Sequence, residues 1–156
     1  MFVTSSTASN QGLASYDSLC NGDPNYPGTG VFKALMVTST RGGCTAYDCS
    51  GATDWPIAPD TTYTDHQYPT IYFTSDSSST FGDFDLTPYN TYYSGQPRVY
   101  SGLSTDKSWT NDSTYGNCAN WSSNTTGQFT FFRFDTNVVD FGSCSAVSYS
   151  TICLEQ

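Results

Sequence analysis

Gly30-Val31-Phe32-Lys33-Ala34-Leu35-Met36-Val37 is the most apolar stretch of the chain, and it decides the fold class. The run is as short as a strand, and residues typical of turns and loops flank it on both sides, Gly28-Thr29 before it and Thr38-Ser39-Thr40 after it. We therefore predict a buried β-strand here, and we place it at the centre of a sheet.

Further short segments, aromatic or β-branched and bounded by turn residues, are also typical of strands. Aromatic residues make up 16% of the chain, whereas glutamate, which long helices favour, occurs only at Glu155. The predicted extended segments are Met1–Ser5, Thr70–Phe73, Arg98–Tyr100, Gly127–Phe134 and Tyr149–Glu155. Between Arg41 and Gln96, Gly, Pro, Asp, Ser and Thr predominate, which indicates long ordered loops.

A helix is predicted near the start of the chain. Asn10 is a typical N-cap residue, Leu13, Tyr16 and Cys20 follow at helical spacing, and Asn21-Gly22-Asp23-Pro24 is a stop signal. With 156 residues, the chain is long enough for one domain, so we predict a single α+β domain over residues 1–156.

The charge balance excludes several classes of partner. Fourteen acidic residues against five basic ones give a formal net charge of −9. Nucleic acids and anionic lipids are bound mainly through Lys and Arg, so neither is expected as a partner. Because no apolar run reaches the length of a membrane span, membrane insertion is not expected either.

Six cysteines suggest an oxidising compartment and three disulfides, and therefore a secreted or cell-surface protein. Six cysteines allow fifteen pairings, and spacing alone favours only the local link of Cys44 to Cys49. That close pair with His66, the single histidine, cannot complete a zinc site.

The order of several motifs resembles an uncharacterised family of bacterial extracellular domains, grouped with the C-type-lectin-like and endostatin-like superfamily. The resemblance runs nearly from end to end. Its motifs are Phe2-Val3-Thr4-Ser5, Phe32-Lys33-Ala34-Leu35, Arg41-Gly42-Gly43-Cys44-Thr45-Ala46-Tyr47-Asp48-Cys49, Asp54-Trp55-Pro56, Tyr100-Ser101-Gly102-Leu103, Asn117-Cys118-Ala119-Asn120-Trp121 and Cys153-Leu154-Glu155-Gln156.

This resemblance implies a C-type-lectin-like fold. Such a fold has twisted antiparallel sheets, one or two N-terminal helices, long irregular loops, and first and last strands that lie side by side. It also implies the disulfides Cys20–Cys153 and Cys118–Cys144. The resemblance is specific for fold and assigns no activity.

No set of residues points to catalysis. His66, in Thr64-Asp65-His66-Gln67-Tyr68, has no nucleophile motif nearby, and the paired carboxylates Asp83 and Asp85 are better explained as an acidic loop than as a glycosidase pair. We therefore predict that the protein is not an enzyme.

Calcium-dependent sugar binding, which many C-type lectins show, is not expected. Trp109-Thr110-Asn111-Asp112 resembles the lectins' Trp-Asn-Asp ligand motif with an inserted Thr, but Gln96-Pro97-Arg98 has a cation where the lectin motif has an acid. We predict no metal site and no cofactor, and a structural Ca²⁺ among the Asp-rich loops is left open.

The candidate ligand-binding residues are Trp109, Asn111, Asp112, Asp83 and Asp85, because Trp109 lies in a polar context where it can stack on a sugar. Trp121 and Trp55 are expected to pack in the core and against a loop. Three acceptor sequons begin at Asn111, Asn120 and Asn124, and they become glycosylation sites if the source can N-glycosylate.

Two functions follow from these features. The first is a non-enzymatic extracellular recognition or adhesion module that binds a cell-surface protein or glycan through its long loops. The alternative is a self-assembling subunit of an extracellular filament or surface coat, because low charge, many tyrosines and an edge strand at Met1 favour contacts between copies.

Overall fold

The computed structural model describes residues 1–5, 11–42, 49, 51–79, 98–101, 117–122, 128–133, 138–145 and 150–156. These residues form an α+β fold of one helix, one helical turn and small sheets that are mostly antiparallel. The helix is α1 (Leu13–Gly22), and the strands are β1 (Phe2–Val3), β2 (Phe32–Ala34), β3 (Thr62–Thr64), β4 (Tyr72–Thr74), β5 (Arg98–Tyr100), β6 (Gln128–Arg133), β7 (Val138–Ser143) and β8 (Ile152–Glu155).

The first and last strands of the chain lie side by side, as the sequence predicts. They belong to an antiparallel sheet of order β1-β8-β2, in which Phe2 is opposite Cys153 and Ala34 is also opposite Cys153 on the other side.

The prediction that the Phe32 strand is central to its sheet is wrong, because β8 occupies the centre and β2 is an edge strand. The burial of the two strands explains the difference. Ile152 and Leu154 pack into one hydrophobic cluster and Cys153 packs into a second, so both faces of β8 are covered. In β2, Lys33 is only half-buried, and a charged residue in mid-strand is typical of an edge.

The two other sheets are built around aromatic residues. β3 and β4 form an antiparallel hairpin, and β5, β6 and β7 form an antiparallel sheet with β6 in the middle. Strands β3 and β7 were not predicted, since Thr62-Tyr63-Thr64 holds one apolar residue and β7 contains Asp140 and Gly142. Glycine is required at position 142, because a Cβ atom there would lie 2.6 Å from the ring of Phe129.

Helix α1 ends at Gly22 as predicted but begins later than the sequence indicates. Its N-cap position is Gly12 and not Asn10, which lies outside the described residues. Gly12 has φ 85°, a conformation that glycine adopts without strain, and it makes no side-chain cap. Tyr16 and Cys20 face inward and are fully buried.

Cys118–Trp121 forms a single helical turn in which every residue has a left-handed φ, from 54° to 61°. This conformation is less favourable by roughly 1–2 kcal/mol for each non-glycine residue. Burial and hydrogen bonding of Trp121 offset the cost. Its ring is fully buried, its indole N–H donates to the carbonyl of Val37 at 2.8 Å, and its backbone N–H donates to the carbonyl of Asn117.

Two disulfides join described cysteines, Cys20–Cys153 and Cys118–Cys144, which are the pairings that the resemblance implies. Cys49 is also disulfide-bonded, whereas Cys44, its expected partner, lies outside the described part of the chain. Within that same part, no helix is long and apolar enough to cross a membrane.

Candidate functional site

Most of the predicted site residues lie outside the part of the chain that the structure describes. These are the ligand-binding candidates Trp109, Asn111, Asp112, Asp83 and Asp85, and the sequon residue Asn124. Their roles therefore stay predictions. The other two tryptophans lie where they are expected, because Trp121 is in the core and the half-buried Trp55 packs against a core cluster and donates to the carbonyl of Ser79.

Asn120, the one described sequon residue, belongs to the left-handed turn and is exposed. Its side-chain oxygen accepts a hydrogen bond from the backbone N–H of Ser39 at 2.8 Å and another from the amide of Asn117. The side chain therefore ties this turn to the loop after β2.

Among the carboxylates that the structure describes, none is hydrogen-bonded to the side chain of His66. His66 is exposed, whereas the neighbouring Asp65 is buried and accepts the backbone N–H groups of Gln67 and Tyr68 at 2.9 and 2.8 Å. Asp65 thus shapes a turn. Across the described ranges, no group of three or more His, Cys, Asp or Glu residues is arranged to hold a metal ion.

The outer face of the β3–β4 hairpin is the described surface best suited to recognition. Side chains alternate along a strand, so Thr62, Thr64, Tyr72 and Thr74 share this face, and all four are exposed. We call these four residues the hairpin face. Tyr72 is 65% exposed and lies opposite Thr64, while the hydroxyls of Thr62 and Thr74 are 2.9 Å apart.

The inner face of the hairpin makes this surface rigid. The rings of Tyr63 and Phe73 stack with centroids 4.9 Å apart, and both residues pack into a hydrophobic cluster with Ile57 and Ile71. The phenol oxygen of Tyr63 accepts the backbone N–H of Ala58 at 2.7 Å. Burial raises the pKa of Tyr63, although that hydrogen bond acts to lower it, so the phenol stays neutral.

Chemically, the hairpin face offers an aromatic ring beside three hydroxyl groups and carries no charged side chain. An aromatic ring can stack on an apolar face of a ligand, while hydroxyls both donate and accept hydrogen bonds. The arrangement is suited to a neutral partner.

A separate group of charged residues, which we call the ion cluster, holds the scaffold together. Its members are Asp17, Lys33, Arg41 and Asp54, and the sequence gives little sign that they meet. The guanidinium of Arg41, which is 2% exposed, binds both carboxylate oxygens of Asp17 at 2.8 Å. It also binds Asp54 at 2.7 and 2.9 Å and the carbonyl of Ala34 at 3.0 Å, and Lys33 pairs with Asp54 at the surface. Helix α1, strand β2 and the loop at Asp54 are thus fastened to one side chain.

Acid should weaken this cluster. Burial acts to raise the pKa of Asp54, but hydrogen bonds from Lys33 and Arg41 outweigh it and hold the pKa below the ordinary 3.8. A carboxyl with a lowered folded-state pKa stabilises the protein above its unfolded pKa, and this contribution is lost as pH falls through the folded value. We therefore expect the free energy of unfolding to fall from about pH 5 downward, and to fall less in Asp54→Asn.

Urea unfolding at a series of pH values measures this difference. Asp60→Asn is the matched control, because Asp60 is exposed and forms no ion pair in the described structure. The free energy of unfolding of this control should vary with pH as that of the wild type does. The same variation in Asp54→Asn would contradict the conclusion that the ion pairs of Asp54 stabilise the folded state.

Comparisons with known proteins identify a family and no function. No curated protein and no solved structure matches the chain. Residues 4–134 match the model of a family described as "Protein of unknown function (DUF1554)", which covers more than half of the sequence, and the chain belongs to this family.

Proposed function

We propose that this protein is a non-enzymatic extracellular recognition module with a C-type-lectin-like fold, and that it binds a cell-surface glycan or protein. The observation that carries the proposal is the hairpin face, an exposed, uncharged surface of Tyr72 and three threonines on a rigid aromatic base. Rigid scaffolds that present exposed aromatic residues are suited to binding, because little conformational entropy is lost on association.

Three features support the fold and the location within this proposal. The bridges Cys20–Cys153 and Cys118–Cys144 and the pairing of β1 with β8 are those that the resemblance to C-type-lectin-like domains implies. Disulfides are typical of proteins that function in oxidising compartments, and this is compatible with an extracellular location.

The alternative, a filament or coat subunit, draws no support from the β1 edge. A strand added there would need the outward backbone groups of β1, yet the carbonyl of Val3 accepts the side chain of Asn25 at 2.9 Å and the carbonyl of Met1 accepts the N–H of His66 at 2.9 Å. Light scattering over a range of concentrations, with electron micrographs of the same samples, separates the hypotheses, since regular polymers would favour assembly.

Replacing Tyr72 with alanine should reduce affinity for the partner at least tenfold, which corresponds to about 1.4 kcal/mol. The partner is first identified on arrays of glycans and surface proteins, with and without calcium, and affinity is then measured by calorimetry. Binding should not depend on calcium, and Tyr72→Phe should retain most of it because the ring remains.

Val31→Ala is the matched control, because Val31 is 61% exposed and lies outside the hairpin, directly before β2. Equal affinities of Tyr72→Ala and the wild type would show that the hairpin face is not the binding surface. Trp109→Ala and Asp112→Ala would then test the loop residues that the sequence predicts.

A further inference from the structure

In the part of the chain that the structure describes, strand β2 has a neighbouring strand on one side only. It pairs with β8 through residues 31, 33 and 35, as shown by the bonds from Gln156 N–H to the carbonyl of Val31 and from Leu35 N–H to the carbonyl of Ile152. Backbone groups alternate in direction along a strand, so those of Phe32 and Ala34 point away from β8. Such outward groups are the template on which another strand can pair.

The side chain of Asn21, on helix α1, is hydrogen-bonded to both outward backbone groups of Phe32. Its side-chain oxygen accepts the N–H of Phe32 at 2.9 Å, and its amide nitrogen donates to the carbonyl of Phe32 at 2.7 Å. One carboxamide therefore makes the pair of hydrogen bonds that a residue of a neighbouring strand would make.

The outward backbone groups of Ala34 are likewise hydrogen-bonded, in this case to two charged side chains. Asp17, one turn before Asn21 on α1, accepts the N–H of Ala34 at 2.9 Å, and Arg41 donates to the carbonyl of Ala34 at 3.0 Å. All four outward groups of these two residues are thus bonded to side chains.

We propose that Asn21, with Asp17 and Arg41, forms an edge cap that keeps β2 from pairing with a strand of a second copy of this chain. The need for a cap follows from the strand itself. Residues 30–37 are the most apolar stretch of the chain with a single charge, Lys33, and such a segment on an open edge promotes association. The inference is independent of the ligand that the hairpin face binds.

Replacing Asn21 with alanine tests the cap, because it removes both hydrogen bonds to the Phe32 backbone groups while Asp17 and Arg41 remain. Asn21 is exposed and helical, and alanine is a good helix former, so the variant should fold. We expect Asn21→Ala to associate at a concentration at least tenfold below that of the wild type in sedimentation velocity. Asn21→Ser should associate at a similarly low concentration, because the serine side chain is too short to reach both groups.

Hydrogen exchange identifies where the copies meet. In monomeric Asn21→Ala the amide of Phe32 should exchange at least tenfold faster than in the wild type, and in the associated form it should become slow again. Asn120→Gly is the control, since it also deletes an exposed asparagine that bonds to backbone, and glycine tolerates the left-handed φ at that position.

Three results would overturn the proposal. Both Asn21 variants could remain monomeric wherever the wild type does. They could associate while the Phe32 amide still exchanges fast, which would place the contact elsewhere. Finally, Asn120→Gly could associate as strongly, which would make loss of stability and not the open edge the cause.

Discussion

Replacing Arg41 with alanine should destabilise the protein by about 3 kcal/mol, the lower end of the range for breaking a buried ion pair. The variant leaves the carboxylates of Asp17 and Asp54 without their shared cation and deprives the buried carbonyl of Ala34 of a donor. The lower end applies because the side chains of Asp17 and Asp54 are 26% and 38% exposed, so water compensates part of the loss. Urea unfolding near pH 7 measures the effect.

Lys33→Ala is the matched control for this prediction. Lys33 pairs with the same Asp54, but both side chains are about one-third exposed, and exposed ion pairs contribute less than about 1 kcal/mol. Arg41→Lys should fall between the two, because it keeps the charge and loses the planar fork that holds both carboxylates. A loss for Arg41→Ala no greater than that for Lys33→Ala would show that the cluster does not stabilise the scaffold.

Removing the Cys20–Cys153 disulfide should cost more than removing Cys118–Cys144. The two bridges join residues 133 and 26 positions apart. On chain entropy alone they stabilise the folded state by about 5 and 3.5 kcal/mol, because a longer loop restricts the unfolded chain more. The first loss is comparable to the whole stability of many domains, so reduction of both should unfold the protein.

Paired Cys→Ala variants provide the comparison, with unfolding followed by near-ultraviolet dichroism in urea. The four cysteines are all buried, so the two double variants lose similar packing and differ mainly in loop length. Equal losses, or a larger loss for the shorter loop, would contradict the entropic account. Intact dichroism in reductant would contradict the predicted unfolding.

The extended segments around Phe32, Val99, Phe129 and Cys153 could be predicted from the sequence, because apolar and β-branched runs between turn residues are local signals. The end of α1 at Gly22 follows from the same kind of signal. Strand β3 could not be predicted, since its only apolar residue is Tyr63, and the sheet is stabilised there by stacking on Phe73 of another strand.

The left-handed turn at Cys118–Trp121 runs against local preference. Alanine, cysteine and tryptophan avoid this conformation, so no propensity argument predicts it. A disulfide to Cys144 and the hydrogen bond from Trp121 to Val37 hold the turn in place, and both partners lie far away in the chain.

The ion cluster and the edge cap were missed for the same reason. Asp17, Arg41 and Asp54 come from three separate segments, and their types suggest only solvated charges in an acidic chain. Asn21 is visible in the sequence as a helix-stop residue, but its second role depends on where β2 lies relative to α1.

By itself the sequence determined the α+β class, the buried strand at Phe32, the helix that ends at Gly22 and the acidic character of a chain with six cysteines. The tertiary structure alone decided that β8 and not β2 is central, which side chains close the β2 edge, and that Tyr72 is exposed beside three threonines. The physical reason is the range of the interactions. Local hydrogen bonding and hydrophobic periodicity depend on residues that are neighbours in the sequence. The burial of a second strand face and the pairing of distant polar groups depend on segments that come together only in the folded chain.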